Sequence, residues 1–188
     1  MSGATATTYE WLYREFTDDA DDTWLYVGFV RGLSPEDALR RLGITPGPLG
    51  ESGFGVAAYG TDAGTVLIEV GWAGIVHDQA DRLSVGTVAA SVFATSDDDG
   101  FTYCVDGELI TTFDLYGYPE RSGSDPDRLQ AEIEVLGMDV DGELPELPGD
   151  AVSRALALAE RVTGVHLSPA RYAGAALIGP CDHLDPYR

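Results

Sequence analysis

Two alternating apolar runs, FTYCV at 101–105 and ELITTFD at 108–114, flank the dipeptide Asp106-Gly107, and no other feature constrains the chain as strongly. Asp and Gly both tolerate the positive φ that a two-residue hairpin turn demands, so the runs are expected to pair antiparallel. A second hairpin is expected at Asp62-Ala63-Gly64, between strands at 54–59 and 65–70. Residues 24–30 (WLYVGFV) are apolar on both alternating faces and read as a central strand; residues 87–93 read as another.

Helical signals lie on either side of these strands. Ser34 is a good N-cap, Pro35 suits the first helical position, and Glu36 and Asp37 favour the positive end of the helix dipole. That helix is expected to stop at Gly43. A short helix is expected at 9–16, ended by the acidic run at 18–22. Asp125-Pro126-Asp127 is expected to open another that ends near Gly137. From 151 to 162, Val152, Ala155, Leu156, Ala159 and Val162 fall on one stripe that ends at Gly164. Strand follows strand in this order, which argues against a doubly wound sheet. The expected fold class is α+β, an antiparallel or mixed sheet of about six strands with helices packed on it. A length of 188 residues fits one domain over 1–188, with the helix at 1–20 and the tail at 178–188 as peripheral elements.

Charge narrows the function. Thirty-two acidic residues face eleven basic ones, all of them Arg, for a formal net charge of −21. Without lysine there is neither Schiff-base chemistry nor a P-loop. A polyanion with so few cations is also not expected to bind nucleic acid by direct phosphate contact. The acidity has two readings: a GC-rich genome, or an acidic face that docks on a basic partner. No segment has the roughly 18 apolar residues of a membrane span. The first residues lack the basic start and apolar stretch of a signal peptide. With two distant cysteines, Cys104 and Cys181, the expected location is a reducing cytoplasm.

No reaction is legible. His77, His166 and His183 share no metal-ligand spacing, and the tail cluster Cys181-Asp182-His183-Leu184-Asp185 reads as solvated. The Asp-Gly runs fail the calcium-loop register, so neither a metal nor another cofactor is expected. There is no GxSxG elbow, and Cys104 reads as a small buried hydrophobe on a strand. Three candidate binding residues remain. Arg31 ends an apolar strand; its guanidinium either grips a carboxylate or phosphate ligand or pairs internally with Glu69. Glu69 itself is either a buried, perturbed acid or one on a wet sheet face. Trp72, flanked by glycines, either anchors a protein partner or folds onto the core.

Four blocks carry a resemblance: 24–43 (WLYVGFVRGLSPEDALRRLG), 83–93 (LSVGTVAASVF), 101–113 (FTYCVDGELITTF) and 155–165 (ALALAERVTGV), with 123–129 (GSDPDRL) also fitting. They resemble a family of small actinobacterial proteins of unknown function. The resemblance implies a bacterial cytoplasmic protein and places Arg31, Glu69 and Asp125-Pro126-Asp127 in recurring motifs, but it brings no catalytic residues. The function expected is a non-enzymatic acidic binding or regulatory protein, an inhibitor or immunity-type protein for a basic partner. The alternative is a small-molecule-binding or enzymatic domain with a pocket near Arg31 and Glu69. Oligomeric state is not legible.

Overall fold

The computed structural model of the chain describes residues 3–17, 24–71, 73–139, 142 and 149–184. Among them seven strands form one sheet: β1 (Leu25–Arg31), β2 (Gly55–Gly60), β3 (Gly64–Val70), β4 (Val88–Ala94), β5 (Asp99–Val105), β6 (Glu108–Phe113) and β7 (Leu177–Pro180). Their spatial order is β6-β5-β4-β1-β3-β2-β7, and every neighbouring pair is antiparallel. β1 lies in the middle, as its two-sided apolar pattern requires. The turn between β5 and β6 has Asp106 at φ 49° and Gly107 at φ 82°, the conformation that Asp-Gly was expected to supply.

The helices are α1 (Ala6–Phe16), α2 (Pro35–Arg41), α3 (Ile75–Asp78), α4 (Ala80–Ser84), α5 (Gln130–Val135), α6 (Ala151–Thr163) and α7 (Pro169–Tyr172). They cover both faces of the sheet. On one face Leu25, Val27 and Phe29 of β1 meet α6, which is itself backed by α1 through the fully buried Tyr9 and Leu12. On the other face Val30 and Leu67 meet Leu39 and Leu42 from α2 and its C-terminal end, Ile75 and Val76 of α3, and Leu83 of α4. The result is three layers, helix–sheet–helix, around an α+β sheet.

Three departures from the sequence expectations have physical causes. Asp125-Pro126-Asp127 opens no helix; instead the amides of Ser124 and Asp125 bond to the carbonyls of Leu109 and Ile110 at 3.1 and 3.0 Å, covering the outer edge of β6. The helix begins only at Gln130, beyond this segment. α3 and α4 were not foreseen, since one-turn helices are too short to show periodicity. β7 was also absent from the expected order. It is four residues long, and its outer edge is partly occupied by the Gly47 amide bonding to the Ile178 carbonyl at 2.9 Å. Both ends of the sheet are thereby blunted against further strand pairing.

Candidate functional site

Arg31 and Glu69 do not meet. In the β1–β3 register Arg31 stands opposite Gly64 and Val27 opposite Ile68, so the two residues lie toward opposite ends of the strand pair. They also face opposite ways. Arg31 shares the face of Val27 and Phe29, whereas Glu69 shares that of Leu67. Alternation of side chains along a strand makes the expected ion pair geometrically impossible. No single pocket can use both as anchors.

Arg31 serves α6. Its Nε donates to the Thr163 carbonyl at 2.7 Å, placing a cation where the helix dipole is negative. Beside it, at Gly164, opens a cleft of about 580 Å³ lined by Thr61, Asp62, His166, Ser168 and Arg171. Its cation is likewise occupied: Arg171 donates from Nε to the Gly60 carbonyl at 2.6 Å and from Nη1 to the Ala175 carbonyl at 2.9 Å. His166 is bonded to Glu160 at 2.8 Å. These groups tie loops together.

Glu69 is 3% exposed, on the face covered by α3. Oε2 accepts the amide of Gly74 at 3.0 Å and Oε1 that of Val76 at 2.6 Å, so the carboxylate holds the first turn of α3 onto β3. Burial pushes its pKa up to about 7 against the opposing pull of these amides, and nearby Asp78 adds to the rise. Trp72 lies outside the described residues, as do residues 18–22 and Asp185.

Through α3, Glu69 fixes the wall of a second cavity, a groove of about 310 Å³ between α3–α4 and the same face of β5–β6. Ala80, Cys104 and Leu109 supply apolar surface; Asp78 and Asp81 supply carboxylates; Thr102 and Thr112 supply hydroxyls bonded to each other at 2.9 Å. His77 lies against it, its Nδ1 3.0 Å from the Ser91 hydroxyl and its ring edge-on to Phe93 with centroids 4.4 Å apart. Burial lowers the His77 pKa, opposed by Asp78 and Asp98. Cys104 is pushed up to about 12 by burial and by Asp81, which keeps it a thiol rather than a nucleophilic thiolate. Ser91 is 1% exposed and sits on the central part of β4. Sequence reasoning missed the groove because its members lie on four separate elements. The hint it did hold was Thr102 and Cys104 alternating onto one side of the strongest hairpin; Leu109 and Thr112, three residues apart, share that side only through a bulge opposite Tyr103 and Cys104, which the sequence does not announce.

A model of the family of unknown function DUF6461 matches residues 50–177. The chain belongs to that family. Every residue lining the groove falls inside the DUF6461 match, and so does Glu69; β1, with Arg31, and α2 lie before it. Of the blocks that carried the resemblance, 83–93, 101–113 and 155–165 are within the match and 24–43 is not. No curated protein and no solved structure matches the chain. Among the described residues no group of three His, Cys, Asp or Glu side chains is placed to hold a metal ion, and no helix is long and apolar enough to cross a membrane.

Proposed function

We propose that this chain is a non-enzymatic binding protein that recognises a basic partner, an inhibitor or immunity-type protein of the actinobacterial cytoplasm. The observation that carries the reading is how its cations are spent. Every arginine among the described residues is engaged within the chain. Arg14, Arg40, Arg121, Arg128, Arg154 and Arg161 face carboxylates. Arg31, Arg41 and Arg171 donate to backbone carbonyls, and Arg82 to Gln79. With a formal net charge of −21, most carboxylates have no arginine to meet, and the outward field is negative. Such a field accelerates encounter with a cationic surface and rejects anionic ones. The lysine-free composition supports a high-GC source, and two cysteines far apart in the sequence with no Cys-x-x-Cys motif, Cys104 and Cys181, support a reducing compartment.

The test uses the intact chain and a pair of synthetic peptides of equal length, one rich in lysine and arginine and one with those positions changed to glutamate. The basic peptide is expected to bind at low salt and to weaken steeply as ionic strength rises, while the acidic one does not bind. Absence of binding by the basic peptide at low salt, or affinity insensitive to salt, overturns the reading.

A further inference from the structure

The groove between α3–α4 and β5–β6 has a lining that suits one kind of side chain. The outer part of the sheet on this side is left open: α4 packs over β4 and β5, and beyond it Leu109 of β6 is 38% exposed. Val85, 52% exposed at the far end of α4, belongs instead to a separate cleft with Arg40, Arg41 and Arg82. Exposed aliphatic surface beside a concave, partly apolar cavity is what a docking partner covers.

The polar part of the lining selects the charge of that partner. Asp78 and Asp81 line the cavity, and neither is paired with an arginine side chain among the described residues; the nearby Arg82 side chain donates to Gln79 at 2.7 Å, and the Asp81 carboxylate accepts the Arg82 backbone amide at 2.7 Å. His77, also in the lining, is disfavoured as a cation by burial. The cavity thus presents two carboxylates with no internal counter-charge. Opposite them, the Thr112 hydroxyl donates to the Phe101 carbonyl at 3.0 Å and the Thr102 hydroxyl to Thr112 at 2.9 Å, so toward the cavity both can only accept, and Leu109, Ala80 and Cys104 offer a wall for an alkyl stem. Lysine and arginine side chains combine an apolar stem with a cationic head, and in water they bury the stem while seeking carboxylates for the head.

We infer that this groove is the point at which the basic partner inserts a lysine or arginine side chain, its stem against Leu109 and its head between Asp78 and Asp81. The inference rests on the reading of the chain as a binder of basic proteins and gives that reading a location. Glu69 is then a positioning residue, acting only through α3.

Two measurements test it on the intact chain. In the first, the basic peptide is titrated against four proteins: the wild type, Leu109→Arg, Asp78→Asn/Asp81→Asn, and Glu15→Gln/Glu120→Gln. The last removes equal charge from exposed acids on the opposite side of the sheet. The groove variant is expected to lose about tenfold or more in affinity, and the distal variant only a few-fold. Leu109→Arg, on an edge strand that tolerates exposure, is expected to match the groove variant by supplying the cavity with a cation of its own. In the second, n-butylamine and agmatine, single side-chain mimics without polyelectrolyte character, are titrated while the methyl signals of Leu109 and the ring signals of His77 are followed by NMR. Saturable shifts, lost in Asp78→Asn/Asp81→Asn, are expected. If both charge-neutralised variants weaken peptide binding equally and the amines shift neither residue, the groove assignment falls while the binding of basic partners stands. If the wild type does not bind the basic peptide at all, the broader reading falls and the groove assignment with it.

Discussion

The carboxylate of Glu69 receives the backbone amide of Val76 at 2.6 Å, and with it a buried acid on the inner sheet holds down a one-turn helix that could not persist alone. Burial raises the pKa of Glu69 from an ordinary 4.5 to about 7, so the folded protein binds this proton more tightly than the unfolded chain does. Protonation of Glu69 therefore favours folding: its contribution is complete below pH 4.5 and is lost as pH rises through about 7. In urea unfolding, the stability of the wild type relative to Glu69→Gln is expected to fall by about 3 kcal/mol between those limits. A pH-independent difference between the two proteins contradicts this account.

The same helix makes a close approach that only glycine permits. A Cβ at Gly28 would sit 2.6 Å from Cγ1 of Val76, which is fully buried and has no room to retreat. Gly28→Ala is expected to destabilise the fold by about 1–3 kcal/mol through overpacking. Combining it with Val76→Ala should recover part of that loss, because the clash disappears. Thermal unfolding of the single and double variants checks the prediction.

Tyr9 joins three parts of the chain at one hydroxyl. It donates to Glu160 of α6 at 2.7 Å and accepts the Leu167 amide at 3.3 Å, and burial raises its pKa well above the usual phenol range. Tyr9→Phe keeps the ring against Phe29 but leaves the Leu167 amide without that acceptor. A loss of about 1–2 kcal/mol is expected in denaturant unfolding. Tyr9→Ala should cost more, since a fully buried ring is then removed as well.

Cys104 is expected to resist alkylation in the folded protein. Its thiol is 1% exposed and its pKa is pushed up to about 12, so both access and thiolate fraction are low at neutral pH. Iodoacetamide labelling followed by peptide mass spectrometry should show Cys104 reacting at least about tenfold faster in urea than under native conditions. Rapid native labelling at Cys104 would mean that the groove opens further than its geometry describes.

Much of the frame was legible because local chemistry dictates it. Asp106-Gly107 specifies a primed turn whatever surrounds it, and Ser34 caps α2 by accepting the Asp37 amide at 3.1 Å, as its place before Pro35 foretells. The stripe on α6 was read too narrowly: Ala157 and Leu158 are buried in addition to Ala155, Leu156 and Ala159. The reason is that α1 covers the side of α6 that the sheet does not, and a single-face pattern cannot announce a second neighbour. The pairing of Arg31 with Glu69, one of two alternatives for that arginine, takes no account of the register or of the face that each residue takes. Both are decided by backbone hydrogen bonding between β1 and β3.

Turn type, capping, the centrality of β1 and the scarcity of cations are properties of adjacent residues or of bulk composition, and they follow from the amino-acid order without reference to distant contacts. The burial of Glu69, the company kept by Asp78 and Asp81, and the groove they border come from elements far apart in the chain. Their chemistry depends on which side chains the sheet's alternation brings to one face and on how much water the covering helices exclude. Desolvation and proximity are set by packing, so they arise only where α3 lies on β1, β3 and β4 and α4 lies on β4 and β5.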